Sequence, residues 1–471
     1  MVSFLLSIVA LLLGYFFYSK IVEKAFGSDD SIETPAIRLT DGVDFVAMPG
    51  WKIFLIQFLN IAGLGPIFGA IAGALWGPVA FLWIVFGSIF AGGVHDYFSG
   101  MLSVRHDGAS IPEVVGKYLG SGFKNFMRVF SVIVLILVGV VFILGPAELL
   151  AGLTPTKFNT AFWVYIIFAY YILATLLPID KLIGKIYPLF GICLLIMAIG
   201  VSGGIIFGGY HIPEITLANL HPNNLPIWPL MFVTIACGAI SGFHSTQSPM
   251  MARCITSEKQ GRSIFYGAMI AEGIVALIWA AAAIAFFGST GELGSQMSAN
   301  GGQGWVVNII STTLLAKVGG ALAILGVIAC PITSGDTAFR SARLTIADFL
   351  NYKQGPIKNR LVLTLPLFVI GFILTKIDFN IVWRYFAWSN QTLAMIVLWT
   401  AAMYLALRKH FHWIATVPAV FMTAVSTTYL LVAPEGFKVS PSIGYPVGIL
   451  IAIGSLILFL IVAKKKIELE K

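Results

Sequence analysis

The residues most able to do chemistry in this chain are few, and they sit where the surroundings are apolar. His95 and Asp96 are adjacent, and a histidine beside an acid can relay protons; pairing with nearby Arg105 or His106 in an aqueous vestibule is the alternative. Glu272 lies among Met269, Ile270, Ile274 and Val275 with no basic residue within two helical turns, so it needs a partner or a proton. That makes it a candidate proton carrier or a buried structural hydrogen-bond donor. A dense polar run follows glycine in Ser241-Gly242-Phe-His244-Ser-Thr-Gln247-Ser-Pro249, costly in lipid unless protein, water or a ligand satisfies it.

Hydroxyls are spaced for a cation. Thr333 and Thr337, with Ser334 between them, share a helix face at four-residue spacing, and with backbone carbonyls they would complete an oxygen cage for a hard ion. Asp336 and Arg340, also four apart, make either a gating pair or an ordinary helix ion pair. Trp388, Asn390 and Gln391 bring an indole and two amides into a segment that should be apolar, to bond either substrate or a neighbouring helix. Glu148 reads as interfacial.

The elements that must position these groups are membrane spans. Of 471 residues, 58% are hydrophobic and 11% charged, against about 25% charged in soluble proteins. Apolar runs of about 20 residues, enough to cross a bilayer, recur throughout. Thirteen spans are expected, starting near Met1, Trp51, Pro78, Met127, Ala161, Tyr187, Ile227, Ser263, Val318, Leu361, Phe379, Phe411 and Ile443. The first, lacking a basic leader and a small-residue cleavage site, is expected to be a retained helix. With the N-terminus outside and the C-terminus cytoplasmic, 24 of the 29 Lys and Arg fall in inside segments, the bias that orients membrane proteins. The net charge of +8 is therefore mostly a topology signal, and nucleic acid is not an expected partner. Four cysteines in apolar runs or a cytoplasmic loop argue against a disulfide framework. Loops too short to fold alone put function inside the bilayer, and without a phosphate-binding loop any driving force is a gradient.

Two spans are broken. The second carries Gln57-Phe-Leu-Asn60-Ile-Ala-Gly63-Leu-Gly65-Pro66 at mid-depth, where proline removes a helix hydrogen bond; a kink or a small-residue packing face is the alternative to a cavity-lining break. The seventh carries Cys237-Gly238 and the polar run. Five spans apart, the two run in opposite directions, as an inverted repeat requires. The expected layout is an N-terminal helix and loop at 1–50, a first five-helix repeat at 51–225, an inverted second repeat at 226–410, and two C-terminal helices with a basic tail at 411–471.

The Ala-Gly-Leu-Gly-Pro-Ile run from Ala62, His95-Asp96 with Ser103-Val-Arg105 and Glu113, Gly145-Pro-Ala-Glu148, the Ser241–Pro249 run, Asp336-Thr-Ala-Phe-Arg340-Ser-Ala-Arg343, and Arg384-Tyr through Asn390-Gln391-Thr-Leu-Ala resemble the carbon starvation protein A family of bacterial cytoplasmic membranes. The chain is shorter than the long members. The resemblance implies uptake of peptides, with pyruvate as a substrate of some members, driven by an ion gradient. It also implies an all-α, leucine-transporter-like 5+5 inverted repeat with one extra N-terminal and two extra C-terminal helices.

The expectation is thus a secondary transporter importing short peptides or small carboxylates by cation symport, with sodium and protons both open as the coupling ion and no other cofactor. Asn60, Gly63, Gly65, Ser241, Gly242, His244, Gln247, Trp388, Asn390 and Gln391 would hold substrate, and Thr333, Ser334 and Thr337 the cation. His95, Asp96, Glu272, Asp336 and Arg340 would couple protons or gate. A channel would instead need a continuous polar stripe. A membrane-embedded enzyme would need a metal site, for which His95, Asp96, His106 and His244 are the only donors in view and lack ligand spacing. Oligomeric state is left open by the sequence.

Overall fold

The computed structural model describes residues 1–42, 45–176, 179–354 and 356–469, without the side chains of residues 175, 176, 179–188 and 317–324. Glu470 and Lys471 of the basic tail, and the side chains of Lys181, Lys185 and Lys317 in the charge count, lie outside this description. The described residues are helices and loops, with no strand.

Among the described residues ten helices are long and apolar enough to cross a membrane, eleven when the bent pair Gly50–Ile61 and Leu64–Trp76 is taken as one span. The other two expected spans coincide with Thr160–Leu176, 17 residues long, and with the 35-residue Ala316–Leu350, which carries Asp336, Arg340 and Arg343. The apolar part of the latter overlaps residues 317–324, whose side chains lie outside the described set, and its length exceeds a bilayer crossing.

Loop contacts sort the chain ends into two faces, as alternating spans must. On one face Arg38 meets Asp107, Arg105 meets Glu258, the Arg253 guanidinium donates to the Gly108 carbonyl at 3.1 Å, and Lys466 donates to the Tyr118 carbonyl at 2.7 Å. On the other, Glu214 accepts from the amides of Val2 and Ser3 at 2.9 and 2.8 Å, Thr290 donates to the Leu220 carbonyl at 2.6 Å, and Arg384 pairs with Glu435 at 3.2 Å. The first face gathers the segments rich in Lys and Arg.

The second span breaks where the glycines stand: helix stops at Ile61, Ala62 and Gly63 leave helical geometry, and the axis turns 49° before Leu64–Trp76. The seventh, Ile227–Ala252, is interrupted between Ile235 and Gly242, with Ala236 at φ 39°. The halves of both spans farther from the basic face pack on each other through a strip of glycines. A Cβ on Gly65 would lie 2.6 Å from the Cys237 sulfur, on Gly69 2.6 Å from the Ile235 carbonyl oxygen, and on Gly73 2.3 Å from the Ile235 side chain. Small residues at four-residue spacing let two backbones approach this closely.

Gly69→Leu is therefore expected to lower the apparent melting temperature of the purified protein by several degrees, the consequence of roughly 1–3 kcal/mol of overpacking. Gly122→Ala, whose Cβ would meet nothing within 4 Å, serves as the control. Equal stability of the two variants in a fluorescence melting assay would refute the close seam.

Candidate functional site

Each break frees backbone groups that lipid cannot satisfy, and side chains of other spans take them. At the seventh span, the Phe243 N–H donates to Asn390 Oδ1 at 2.6 Å, and the Phe232 carbonyl accepts from Gln391 Nε2 and Trp83 Nε1, both at 3.2 Å. The Gly238 carbonyl accepts from Ser88 Oγ at 3.2 Å. At the second span, the Leu59 carbonyl, which an unbroken helix would pair with Gly63, accepts from Cys330 Sγ at 3.0 Å and Ser334 Oγ at 3.4 Å.

These bonds engage several residues expected to hold substrate. Asn390 and Gln391 stitch the broken backbone of the seventh span, and Gly242 is pressed against the Asn390 carbonyl, where a Cβ would sit at 2.4 Å. Trp388 donates to the Ser426 carbonyl at 3.1 Å, towards the twelfth span. Gly65 packs on Cys237, and Ser241 Oγ accepts from the Cys237 thiol at 3.3 Å. Gly63 begins the second half-helix, whose first amides no side chain caps.

Of the expected cation ligands, Ser334 faces the break together with Cys330, four residues earlier. Thr333 Oγ1 donates to the Cys330 carbonyl and Thr337 Oγ1 to the Ser334 carbonyl, each at 2.8 Å, keeping their hydroxyl protons on their own helix. Asp336 and Arg340 form the ordinary pair at 3.3 Å, with Arg340 also donating to the Ala174 carbonyl at 3.1 Å. Glu148 is half-buried, as an interfacial residue would be.

The proton-handling candidates converge. His95 Nδ1 lies 2.7 Å from Asp96 Oδ1, the other Asp96 oxygen lies 2.8 Å from His244 Nδ1, and His244 Nε2 lies 3.3 Å from Glu272 Oε2. All four side chains are fully buried. The last contact is within ion-pair distance but outside hydrogen-bond alignment, so we treat it as a charge contact. Arg105 and His106 play no part in this network among the described residues: Arg105 binds Glu258, and His106 Nδ1 donates to the Leu102 carbonyl while its Nε2 lies beside the Tyr118 hydroxyl. His244 was expected to hold substrate, and the structure instead places it between the two acids.

Beside this chain, on the halves of the broken spans nearest the basic face, Gln57, Asn60 and Gln247 are buried and keep amide atoms with no hydrogen-bond partner among the described residues. Sequence inspection passed over Gln57, although its three-residue spacing from Asn60 puts both on one helix face. It also passed over Ser88, Cys237 and Cys330, whose types give no hint of the carbonyls and glycines they meet. Among the described residues no three His, Cys, Asp or Glu side chains are placed to hold a metal ion.

A sequence profile described as "Carbon starvation protein CstA" matches residues 1–157 and 148–292. The chain belongs to the carbon starvation protein CstA family. An "Uncharacterized membrane protein" of Haemophilus influenzae is 45% identical over 351 residues, covering 64% of this chain and 95% of that one. The "Peptide transporter CstA" of Escherichia coli is 24% identical, covering 90% of this chain and 79% of that one. The "Pyruvate/proton symporter BtsT" of E. coli is 25% identical, covering 58% of this chain and 47% of that one, so the match spans about half of that longer protein. The fold is shared with solved transporters: MhsT in complex with L-phenylalanine, with a TM-score of 0.56 at 14% identity over 88% of this chain and 98% of that one, and a manganese transporter of Eremococcus coleocola, at 0.55 and 13% over 91% and 99%. Among its described residues the family member is all-helical, with the leucine-transporter-like fold of these solved proteins.

Asn390→Ala is expected to cost about 1–3 kcal/mol by leaving the buried Phe243 amide unpaired. A melting measurement in detergent would show it, and an unchanged midpoint would mean that Asn390 does not hold the break.

Proposed function

We propose that this CstA-family protein imports small carboxylate-bearing nutrients, short peptides foremost and pyruvate-like acids next, by proton symport with alternating access. The relatives named as a peptide transporter and a pyruvate/proton symporter support the substrate class and the ion. The basic face would be cytoplasmic, in the bacterial inner membrane with the N-terminus outside, by the excess of Lys and Arg.

The observation that carries the coupling is the position of His244 on the break-borne half-helix Gly242–Ala252, shared between Asp96 and Glu272. With Asp96 ionised, both histidine Nδ1 atoms donate to it. His244 Nε2 and Glu272 then hold one proton between them, as imidazolium with carboxylate or as imidazole with carboxylic acid. Losing that proton leaves Asp96 and Glu272 both negative in a dry interior, which is costly. The proton would therefore leave only when the half-helix swings and admits water, and substrate would travel in the same step. A substrate carboxylate would meet the uncapped amides at Gly63 and Gly65, with Asn60, Gln57 and Gln247 contributing amides.

Sodium is the second reading. Ser334 and the Leu59 carbonyl, with Thr333 and Thr337 alongside, supply the oxygens such an ion needs.

Uptake of labelled peptides and of pyruvate into proteoliposomes under separately imposed proton and sodium gradients tests both. Glu272→Gln is expected to abolish proton-driven accumulation while substrate exchange without a gradient persists. Accumulation by that variant at the wild-type level would sink the proton mechanism. Dependence on a sodium gradient that disappears in Thr333→Ala/Thr337→Ala would favour the other ion.

A further inference from the structure

The same membrane face carries two cavities that meet at one residue. The first, about 300 Å3, is a lipid-facing groove lined by Phe123, Met395, Trp399, Met403, Phe459 and Val462, from the fourth, eleventh and thirteenth spans. The second, about 260 Å3, is polar and lies beyond the membrane end of the groove, lined by Arg105, His106, Lys117, Tyr404 and Arg408. Tyr118 borders both cavities, and Lys466, which lines the apolar groove, donates its ammonium to the Tyr118 carbonyl at 2.7 Å.

Charge distinguishes this place from other grooves on the surface. Arg105 is consumed by Glu258, but Lys117 and Arg408 are exposed and pair with no carboxylate among the described residues. Burial, and after it the positive charges of Lys117 and Arg408, hold the His106 imidazole below its usual value, a sign of the local field. A larger groove of about 680 Å3 runs between the fourth, ninth and tenth spans, yet its cation, Arg128, is bound to Glu113 at 2.6 Å, and Lys124 reaches the same carboxylate at 2.5 Å. That groove offers apolar surface alone.

We infer that the joined cavities form a binding site for an anionic phospholipid, with an acyl chain along the Trp399 groove and the phosphate headgroup among Lys117, Arg408 and Lys466. An apolar slot ending in unpaired cations at the interface fits a molecule that is apolar along its length and negative at its head, and basic pockets between spans bind such headgroups. A zwitterionic lipid would fill the slot without answering the charge. The site has a route to the transport machinery, because the eleventh span supplies Met395, Trp399 and Met403 to the groove and Asn390 and Gln391 to the break of the seventh span.

Brominated acyl chains quench tryptophan on contact, and the difference between wild type and Trp399→Phe isolates the signal from the groove. In the purified full-length protein, brominated phosphatidylglycerol is expected to quench the Trp399 component with several-fold higher relative affinity than brominated phosphatidylcholine. Lys117→Gln/Arg408→Gln, two surface changes outside the packed core, is expected to bring that preference close to parity, as loss of two basic residues at an anionic surface should. Equal quenching by the two lipids, or a preference that survives the double substitution, would overturn the assignment. So would displacement of the brominated phosphatidylglycerol by millimolar inorganic phosphate alone, which would give the pocket to a free anion.

Discussion

A helix that stops in the middle of a bilayer leaves amides and carbonyls with no water to bond, each costing several kcal/mol if left alone. Two spans of this protein stop there, and the surrounding helices are arranged to answer the groups they free. The third and eleventh spans supply Trp83, Ser88, Asn390 and Gln391 to the seventh; the ninth supplies Cys330 and Ser334 to the second. Glycines at 65, 69 and 73 then let the halves of the broken spans farther from the basic face meet at backbone distance.

The breaks do more than bend the chain. They place His244 in the first turn of a short half-helix, where its ring reaches Asp96 on the third span and approaches Glu272 on the eighth. Two carboxylates sharing one imidazole in a dry interior form a site whose proton count is tied to its geometry: separating the members changes the charge that must be buried. The neighbouring amides of Gln57, Asn60 and Gln247 lie on the halves of the broken spans nearest the basic face, buried with amide atoms that have no hydrogen-bond partner among the described residues.

Outside this centre the protein handles its charges by position. Acidic partners neutralise Arg38, Arg105, Lys124 and Arg128 on the basic face. Lys117 and Arg408 escape that pairing next to an apolar slot, which is why charge rather than volume singles out the lipid groove. The eleventh span links this periphery to the centre, since it forms one wall of the groove and holds the break of the seventh span.

Much of this was legible in the sequence, because in a membrane the solvent writes the pattern. Length and apolarity marked the spans, glycine with proline marked the break at Gly63, glycine with a polar run marked the one at Cys237-Gly238, and isolated polar residues in apolar runs marked His95, Asp96, His244 and Glu272. Local spacing also identified the Asp336–Arg340 pair. What it could not decide was which polar group faces which. Asn390 and a substrate ligand have the same side chain, and only the packing of the eleventh span on the seventh turned that amide to the Phe243 N–H. Thr333 and Thr337 shared a face by spacing, yet the ninth span presents Cys330 and Ser334 to the Leu59 carbonyl. His244 lies 148 residues from Asp96 in the chain, so no local rule relates them. Hydrophobic pattern is a property of each span and survives in one dimension; hydrogen-bond partnership in a buried core depends on the rotation of one helix against another, which exists only once they are packed.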